Sequence, residues 1–403
     1  MKNQLSAPLI VQLEITERCN HNCFYCYNLF NHNGNSMPLD KIDRVIYELA
    51  KNRVFSTVIT GGEPFTYKEG LYHALKQLTA NFIDPIINTN LSLPIEESDL
   101  EKIAKTQFIL VSFPSQNEGL FNDIVGVSGS YKKVNDNLAK ISQEKIPVGI
   151  NQVVSKKNKQ DVYKTGKYLF ETFGITSFSA SPMTSVRTES QEYELSGEEI
   201  FEVALALEAL EKDFKMRTDM LECIPREIFP IHLRNHSMAN HQCSAGYDLA
   251  NISVSGEMRT CPKLEDTFGN IFLEGLKEIW DRVQKKRPYD CLPLGLCPVR
   301  IKSHSGIDPL PKKTRDSSPN PKKTCEKGML YIASPIRTRK EGEHLLIFGR
   351  ESGVIFGNEM LVRFIESIQG KPFNVEDIEL RFGGKAKYLL NQLYSVGIIH
   401  NEI

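Results

Sequence analysis

No apolar run in this 403-residue chain approaches the roughly 18–20 residues that a membrane-spanning helix needs, so a membrane is not an expected partner. The opening segment, Met1 to Pro8, lacks the apolar core of a secretion signal, and a cytoplasmic location is expected. Charge bias is missing too: 49 Lys and Arg stand against 50 Asp and Glu, a formal net charge of −1. That balance gives no global pull toward nucleic acid. Internal repeats are absent. A disulfide framework is not expected either, because the nine cysteines are odd in number and no export signal precedes them. Clustered cysteines inside a cell more often bind metal or do chemistry. The composition, 40% hydrophobic and 25% charged, is that of a globular protein, and the length suits two or three domains of roughly 100–200 residues.

From residue 9 to about 180, strand-like and helix-like segments alternate. Leu9–Ile15, Thr57–Thr60, Ile86–Thr89, Phe108–Ser112, Val148–Val154 and Thr176–Ser179 read as short strands. Between them, Ile42, Val45, Ile46 and Leu49 share a helical face, with Asp40 as a plausible N-cap. Leu71, Leu75 and Leu78 mark a second helix, Val134, Leu138 and Ile141 a third, and Tyr163–Phe173 a fourth. This alternation predicts a parallel α/β architecture, barrel or open sheet, with functional residues at the C-terminal ends of strands. Ser196 to about Phe214 reads as a long helix with a Ser196/Glu199 capping box.

Cys19-Asn-His-Asn-Cys23-Phe-Tyr-Cys26 follows the first strand directly. Three thiolates this close can each hold one iron of a 4Fe–4S cluster, leaving the fourth iron open to a small chelating ligand. His21 lies among them, so a structural zinc site is the competing reading. The Cys-x3-Cys-x2-Cys spacing, with Tyr25 before the last Cys, resembles the signature of the radical S-adenosylmethionine (SAM) superfamily. Gly61-Gly62-Glu63-Pro64, after the second strand, resembles the family's second motif.

The resemblance covers roughly residues 9–185 and implies a partial (β/α)6 barrel. It implies that SAM chelates the open iron and is cleaved reductively to a 5′-deoxyadenosyl radical, which takes hydrogen from carbon. Glu63 would receive the SAM ammonium, and Gly61 and Gly62 would allow close backbone approach. Tyr25 would stand beside the cofactor. Asn88 and Asn90, Ser112 and Asn151 resemble positions near the SAM ribose and carboxylate, and Ser181-Pro182-Met183 a contact to adenine. For the asparagines and Ser112, ordinary strand-end capping stays open, and the usual Ser-x-Asp is replaced here by Ser112-Phe113-Pro114.

Six further cysteines lie between Cys223 and Cys325. Cys243 and Cys261 frame Ser255-Gly256, a hairpin turn signal. Cys243-x12-Gly256-x4-Cys261 resembles the opening of the SPASM/twitch extension of radical SAM enzymes. Gly269-Asn270-Ile271, a helix through Leu276, Ile279 and Trp280, and Cys291 and Cys297 resemble its continuation. Pro288 and Ile301 stand where two more thiolates belong. One auxiliary 4Fe–4S cluster is therefore expected, with Cys243 and Cys261 first, Cys291 and Cys297 next, and Cys223 and Cys325 as outer candidates. Two clusters with three Cys each, or a zinc-stapled or cluster-free remnant, stay open, as does a reading of Cys223 alone as a small buried hydrophobe.

Residues 302–323 are rich in Lys, Pro and Ser, with Pro309, Pro311, Pro319 and Pro321, and read as a linker. Beyond them, two short strands flank Glu351-Ser352-Gly353, and helices run through Leu361, Phe364, Ile365 and Ile368 and through Leu389, Leu390 and Leu393. This segment resembles the small winged-helix-like recognition element of ribosomal peptide pathways. Lys340–Ile403 is slightly acidic, against a DNA-binding winged helix; a plain packing or dimerisation domain stays open.

The expected organisation is a radical SAM core at 1–195, a Cys-rich auxiliary region at 196–330 and the recognition element at 331–403. The resemblance implies a precursor peptide with a leader as substrate, a flavodoxin or ferredoxin as electron donor, and a carbon–carbon or thioether crosslink as product. Peptide epimerisation, a small-molecule dehydrogenation and a non-catalytic iron–sulfur binding or regulatory role remain alternatives. No catalytic acid or base is legible.

Overall fold

The computed structural model describes residues 5–28, 34–186, 188–241, 243–286 and, in short stretches, 329–400. They fall into two compact units, one within 5–312 and one within 313–403.

In the first unit, strands and helices alternate as β1 (Ile10–Thr16), α1 (Leu39–Lys51), β2 (Ser56–Gly61), α2 (Lys68–Ala80), β3 (Asp84–Thr89), α3 (Glu97–Ile103), β4 (Phe108–Ser112), α4 (Glu118–Val125), α5 (Ser130–Gln143), β5 (Val148–Val154), α6 (Val162–Phe173) and β6 (Ser177–Pro182). Then follow α7 (Gly197–Phe214), β7 (Arg217–Asp219), β8 (Leu249–Ile252), β9 (Glu257–Arg259), β10 (Thr267–Asn270) and α8 (Leu276–Lys286). The strands form one 10-stranded sheet, ordered β10-β9-β8-β1-β2-β3-β4-β5-β6-β7. From β8 to β7 all neighbours run parallel, and β9 and β10 turn back as an antiparallel edge.

Alternation along each strand explains the layering. Val11, Leu13 and Ile15 are fully buried in the main apolar core beneath the helices, as are Ile42, Val45 and Leu49 of α1. The intervening β1 residues are polar. Glu14, almost wholly buried, accepts from Asn251 Nδ2 (3.1 Å) in β8 and Arg259 Nη2 (2.9 Å) in β9. This pair ties the cysteine-bearing hairpin to the first strand, so β8–β10 continue the barrel's own sheet. A buried carboxylate tolerates such a position only when paired. Residues from the ends of β2 to β6 and the loop after β1 line one common cavity, so the sheet is curved into the expected partial barrel.

Two local readings change. Asp40 does not cap α1: Pro38 occupies the N-cap, and Asp40 lies in the first turn, where its charge favours the helix dipole. The short helices α3 and α4 and the short strand β7 carry too little periodicity to be legible beforehand. The Ser196/Glu199 capping box of α7 forms as expected. Trp280, the largest fully buried side chain, anchors α8 and donates from Nε1 to Leu5 O at 2.9 Å.

In the second unit, β11 (Met329–Ile332) lies between β15 (Phe373–Asn374) and β16 (Ile399–His400). β12 (Arg337–Glu341), β13 (His344–Phe348) and β14 (Val354–Gly357) form an antiparallel meander. Leu330, Ile347, Ile365, Leu390, Leu393 and Ile398 are buried in one small core. The linker at 302–323 and Cys291, Cys297 and Cys325 lie outside the described residues.

Replacing Ser196 with Ala is expected to cost about 1 kcal/mol through loss of the α7 cap. Urea unfolding of the variant against the wild type, at equal slope, measures it.

Candidate active site

The loop from Glu17 to Asn28 leaves the C-terminal end of β1 and is held by main-chain bonds together with side-chain bonds of Glu17, Arg18, Asn20 and Asn28. Asn22 N donates to Val125 O (2.9 Å), Phe24 N to Ile124 O (3.3 Å) and Cys26 N to Cys23 O (3.1 Å). From the end of β2, Gly62 N donates to Thr16 O and Glu63 N to Arg18 O, both at 2.7 Å. A Cβ on Gly61 would stand 2.2 Å from Thr16 O, and one on Gly62 would stand 2.1 Å from Arg18 O. Gly61 also has φ +137°. The close approach that the two glycines permit is thus to the cysteine loop itself.

Cys19, Cys23 and Cys26 face one cavity that encloses about 1160 Å³ of non-atom space, open solvent at its mouth included. Its lining takes in Tyr25, Gly61, Gly62, Glu63, Asn88, Asn90, Ser112 and Asn151, so the barrel brings all of the core residues singled out in the sequence to one place. Ser181, Pro182 and Met183 also line it. Burial pushes the Cys19 thiol up to about 11 and the Cys23 thiol higher still, with neighbouring thiols adding to both. Tyr25 shares a hydrogen bond with the Cys23 thiol. Three half-buried thiols side by side, two of them pushed up by burial, suit a cationic cluster, whose charge reverses that preference. Among the described residues, no three His, Cys, Asp or Glu side chains are already gathered about one metal-sized point. What the loop supplies is the frame from which the three thiols face the same space.

Glu63 is 1% exposed. Its Oε1 accepts from Phe65 N (3.0 Å) and Thr89 Oγ1 (2.8 Å), and its Oε2 from Asn90 N (2.7 Å). Burial nevertheless lifts its pKa to about 7, the three donors opposing. A fixed, buried carboxylate lining a cavity, with no ion pair to a cation among the described residues, fits an incoming ammonium group. Asn88 Oδ1 is buried in the same cavity and has no hydrogen-bond partner among the described residues. Asn90 behaves differently: its Nδ2 donates to Asn20 Oδ1 (3.0 Å), and its Oδ1 accepts from Ser92 N (3.0 Å) and Ser92 Oγ (2.8 Å). It braces the cysteine loop. Asn151 Oδ1 accepts from Ser181 Oγ at 2.8 Å, joining β5 to β6 at the cavity wall.

Among the lining residues that were not legible as site residues, Thr184, Glu222 and Lys263 stand out. Thr184 follows β6 with its hydroxyl buried and without a partner among the described residues. Glu222 and Lys263 form an ion pair in the cavity lining, both side chains largely buried. Their only signal in the sequence is adjacency to cysteines, Glu222 before Cys223 and Lys263 two residues after Cys261. His21, met above as a zinc candidate, also lines the cavity; both ring nitrogens are buried without a partner among the described residues, and burial pushes its pKa down to about 4.

The second cysteine group assembles in part. Cys223 and Cys261 pack around Leu264. A hydrogen bond from the Cys223 thiol holds the Cys243 thiol below its ordinary range. Cys223 therefore stands with the pair that the Gly256 hairpin frames, and that hairpin forms, with Gly256 at φ +83°.

Comparison with known proteins gives the same picture. Residues 13–169 match the model of the radical SAM superfamily. The AdoMet-dependent heme synthase of Methanosarcina barkeri is 22% identical over 296 residues, 69% of this chain and 84% of the relative. A probable GTP 3′,8-cyclase of Saccharolobus islandicus is 25% identical over 266 residues, 64% of this chain and 83% of the relative. Among solved structures, Streptococcus suis SuiB bound to precursor peptide SuiA superposes with a TM-score of 0.60 at 19% identity, covering 74% of each chain. The enzyme anSMEcpe with bound AdoMet and Cp18Cys peptide gives 0.56 at 15% identity, over 69% of this chain and 82% of that one. At these identities the structural likeness is one of fold. No helix among the described residues is long and apolar enough to cross a membrane.

The raised Glu63 value makes stability depend on pH. A carboxyl whose folded pKa lies above its unfolded value contributes stability that is full below about 4.5 and is lost as pH rises through about 7. Metal-free protein is expected to lose up to about 3 kcal/mol from this group between pH 4.5 and 8, at 1.36 kcal/mol per pKa unit. Urea unfolding across that range should show the slope in wild type and a flatter line in Glu63→Gln.

Proposed function

Because residues 13–169 form a radical SAM domain, we propose that this radical SAM enzyme modifies a ribosomally made precursor peptide, forming a carbon–carbon or thioether crosslink. The observation that carries the reading is the joint lining of one cavity by the Cys19, Cys23 and Cys26 thiols and the buried Glu63 carboxylate. The three thiols would hold a 4Fe–4S cluster, and Glu63 would hold the SAM ammonium. Asn88, with its unpartnered carbonyl oxygen, Ser112 and Asn151 would orient the rest of SAM. Cys223, Cys243 and Cys261 would hold an auxiliary cluster, with any further thiolate drawn from Cys291, Cys297 or Cys325. When bound, SAM and the first cluster supply reductive cleavage and hydrogen abstraction from carbon, and a second cluster supplies an electron acceptor. The chain's own part is to fix SAM against the wall made by β2 to β6 and to keep water from the reacting carbon.

Support for a peptide substrate comes from the fold shared with SuiB and anSMEcpe, both solved with peptides. Support also comes from the separate C-terminal unit, whose β12-β13-β14 sheet ends in strand edges. A leader adding a strand there would gain main-chain bonds for affinity and side-chain pockets for register. We take this unit as the winged-helix-like recognition element, at 331–403, behind a core at 1–195 and an auxiliary region at 196–330. A flavodoxin or ferredoxin would deliver the electron. The likeness to a heme synthase and a GTP cyclase favours a second reading, a small-molecule substrate.

Anaerobic reconstitution is expected to load about eight irons in wild type and about four fewer in the Cys19→Ala/Cys23→Ala/Cys26→Ala variant, with 5′-deoxyadenosine made by wild type alone. Zinc in place of iron, or no 5′-deoxyadenosine, overturns the reading. With the peptide supplied in deuterated water, a loss of about two hydrogens without label at Cα marks crosslinking, and deuterium at Cα marks epimerisation. Removing the chain from Ile336 onward is expected to abolish turnover of a leader-bearing peptide. Unchanged turnover of a free small molecule would favour the second reading.

A further inference from the structure

His21 is the feature of the cavity that the site as described leaves unused. It lies between Cys19 and Cys23, it is 6% exposed, and it lines the same cavity as the three thiols. Both Nδ1 and Nε2 are buried, and neither has a hydrogen-bond partner among the described residues. A neutral imidazole carries one donor and one acceptor, and buried polar groups are rarely left without a partner.

The loop does not use the ring to fold. Its path is set by main-chain bonds to Val125 O and Ile124 O and by the docking of Gly62 and Glu63. Two other polar side chains of the loop do have partners: Asn20 Nδ2 donates to Ser92 Oγ (2.7 Å), and Asn28 Nδ2 donates to Gly61 O (3.1 Å). His21 also touches the thiol site through its backbone, whose N–H donates to Cys19 Sγ at 3.5 Å. The ring's missing partner is therefore to be sought in what the three thiols hold.

We propose that a ring N–H of His21 donates a hydrogen bond to a sulfur of the cluster held by Cys19, Cys23 and Cys26, and that this bond eases the cluster's one-electron reduction. The inference rests on the radical SAM reading of the loop. Reduction adds negative charge to the cluster. A donor aimed at its sulfur stabilises the reduced form more than the oxidised one, and so raises the potential. His21 is in this sense a positioning residue, acting through the cluster and touching no reacting carbon. The zinc reading of the same side chain requires a nitrogen bonded to the metal, which is a different spectroscopic object.

The test is an anaerobic redox titration of the reconstituted full chain, followed by electron paramagnetic resonance, for wild type, His21→Leu and His21→Asn. At the wild-type midpoint, the ratio of reduced to oxidised cluster is expected to fall about tenfold in His21→Leu, which is 59 mV for one electron. His21→Asn, which keeps a side-chain N–H, is expected to recover part of it. Equal midpoints in all three proteins overturn the proposal. Should His21→Leu fail to load iron, wild type with 15N-labelled histidine decides by double-resonance spectroscopy. A weak 15N coupling with an exchangeable proton supports the hydrogen bond. No coupling, or the strong coupling of a directly bound nitrogen, overturns it. Failure of the radical SAM reading looks different: no cluster signal and no SAM cleavage from any of the three proteins.

Discussion

The site depends on how the backbone at the end of β2 meets the backbone leaving β1. Gly62 N and Glu63 N reach Thr16 O and Arg18 O, and any side chain on Gly61 or Gly62 would collide with those carbonyl-bearing residues. This contact sets the start of the cysteine loop, and the loop then leans on Ile124 and Val125 at the end of α4. Backbone hydrogen bonds suit the task because side-chain rotation does not change them. The same contact places Glu63 where Phe65, Thr89 and Asn90 can all donate to it, so one docking event builds both the thiol frame and the carboxylate beside it.

Burial then sets the electrostatics of this assembly. Burial pushes the Cys19 and Cys23 thiols up, lifts the Glu63 carboxyl toward neutrality and holds His21 uncharged. In each case desolvation of the charged form is the largest cause, and at His21 the Lys133 charge adds to it. Two other carboxylates have a counter-charge: Glu14 has Arg259 in the sheet, and Glu222 has Lys263 in the lining of the same cavity. Glu14 is raised by burial as Glu63 is, but a guanidinium opposes that rise at Glu14 and three hydrogen-bond donors oppose it at Glu63. The Glu14–Arg259 pair serves the sheet, joining the cysteine-bearing hairpin to β1.

Much of the core was legible because its signals are local. Strand and helix periods from β1 to β6 survive in short windows, and the α7 capping box is a four-residue pattern. Asp40 was misread because a capping residue is recognised by its type, whereas Pro38 takes the position through its fixed φ. Asn90, expected near a ligand or as a strand-end cap, lines the cavity while its side chain bonds Asn20 and Ser92 and approaches Cys19 Sγ at 4.0 Å. Only the approach of another loop distinguishes a strand-end asparagine that binds from one that braces. Cys291, Cys297 and Cys325 lie outside the described residues, so the second cysteine group is seen through Cys223, Cys243 and Cys261.

By itself the sequence determined which residues to look for at the barrel mouth, because three cysteines within one loop and a Gly-Gly-Glu-Pro turn are patterns of few positions that need no distant partners. It also determined the alternating α/β order, since side-chain period is a property of each segment alone. The tertiary structure alone decided which remote residues share the cavity: Glu222 and Lys263 meet there, and Cys223 joins Cys243. It alone showed that the His21 ring is buried without a partner among the described residues. These are facts about separate segments brought together by a curved sheet, and spacing along a chain carries no measure of that distance.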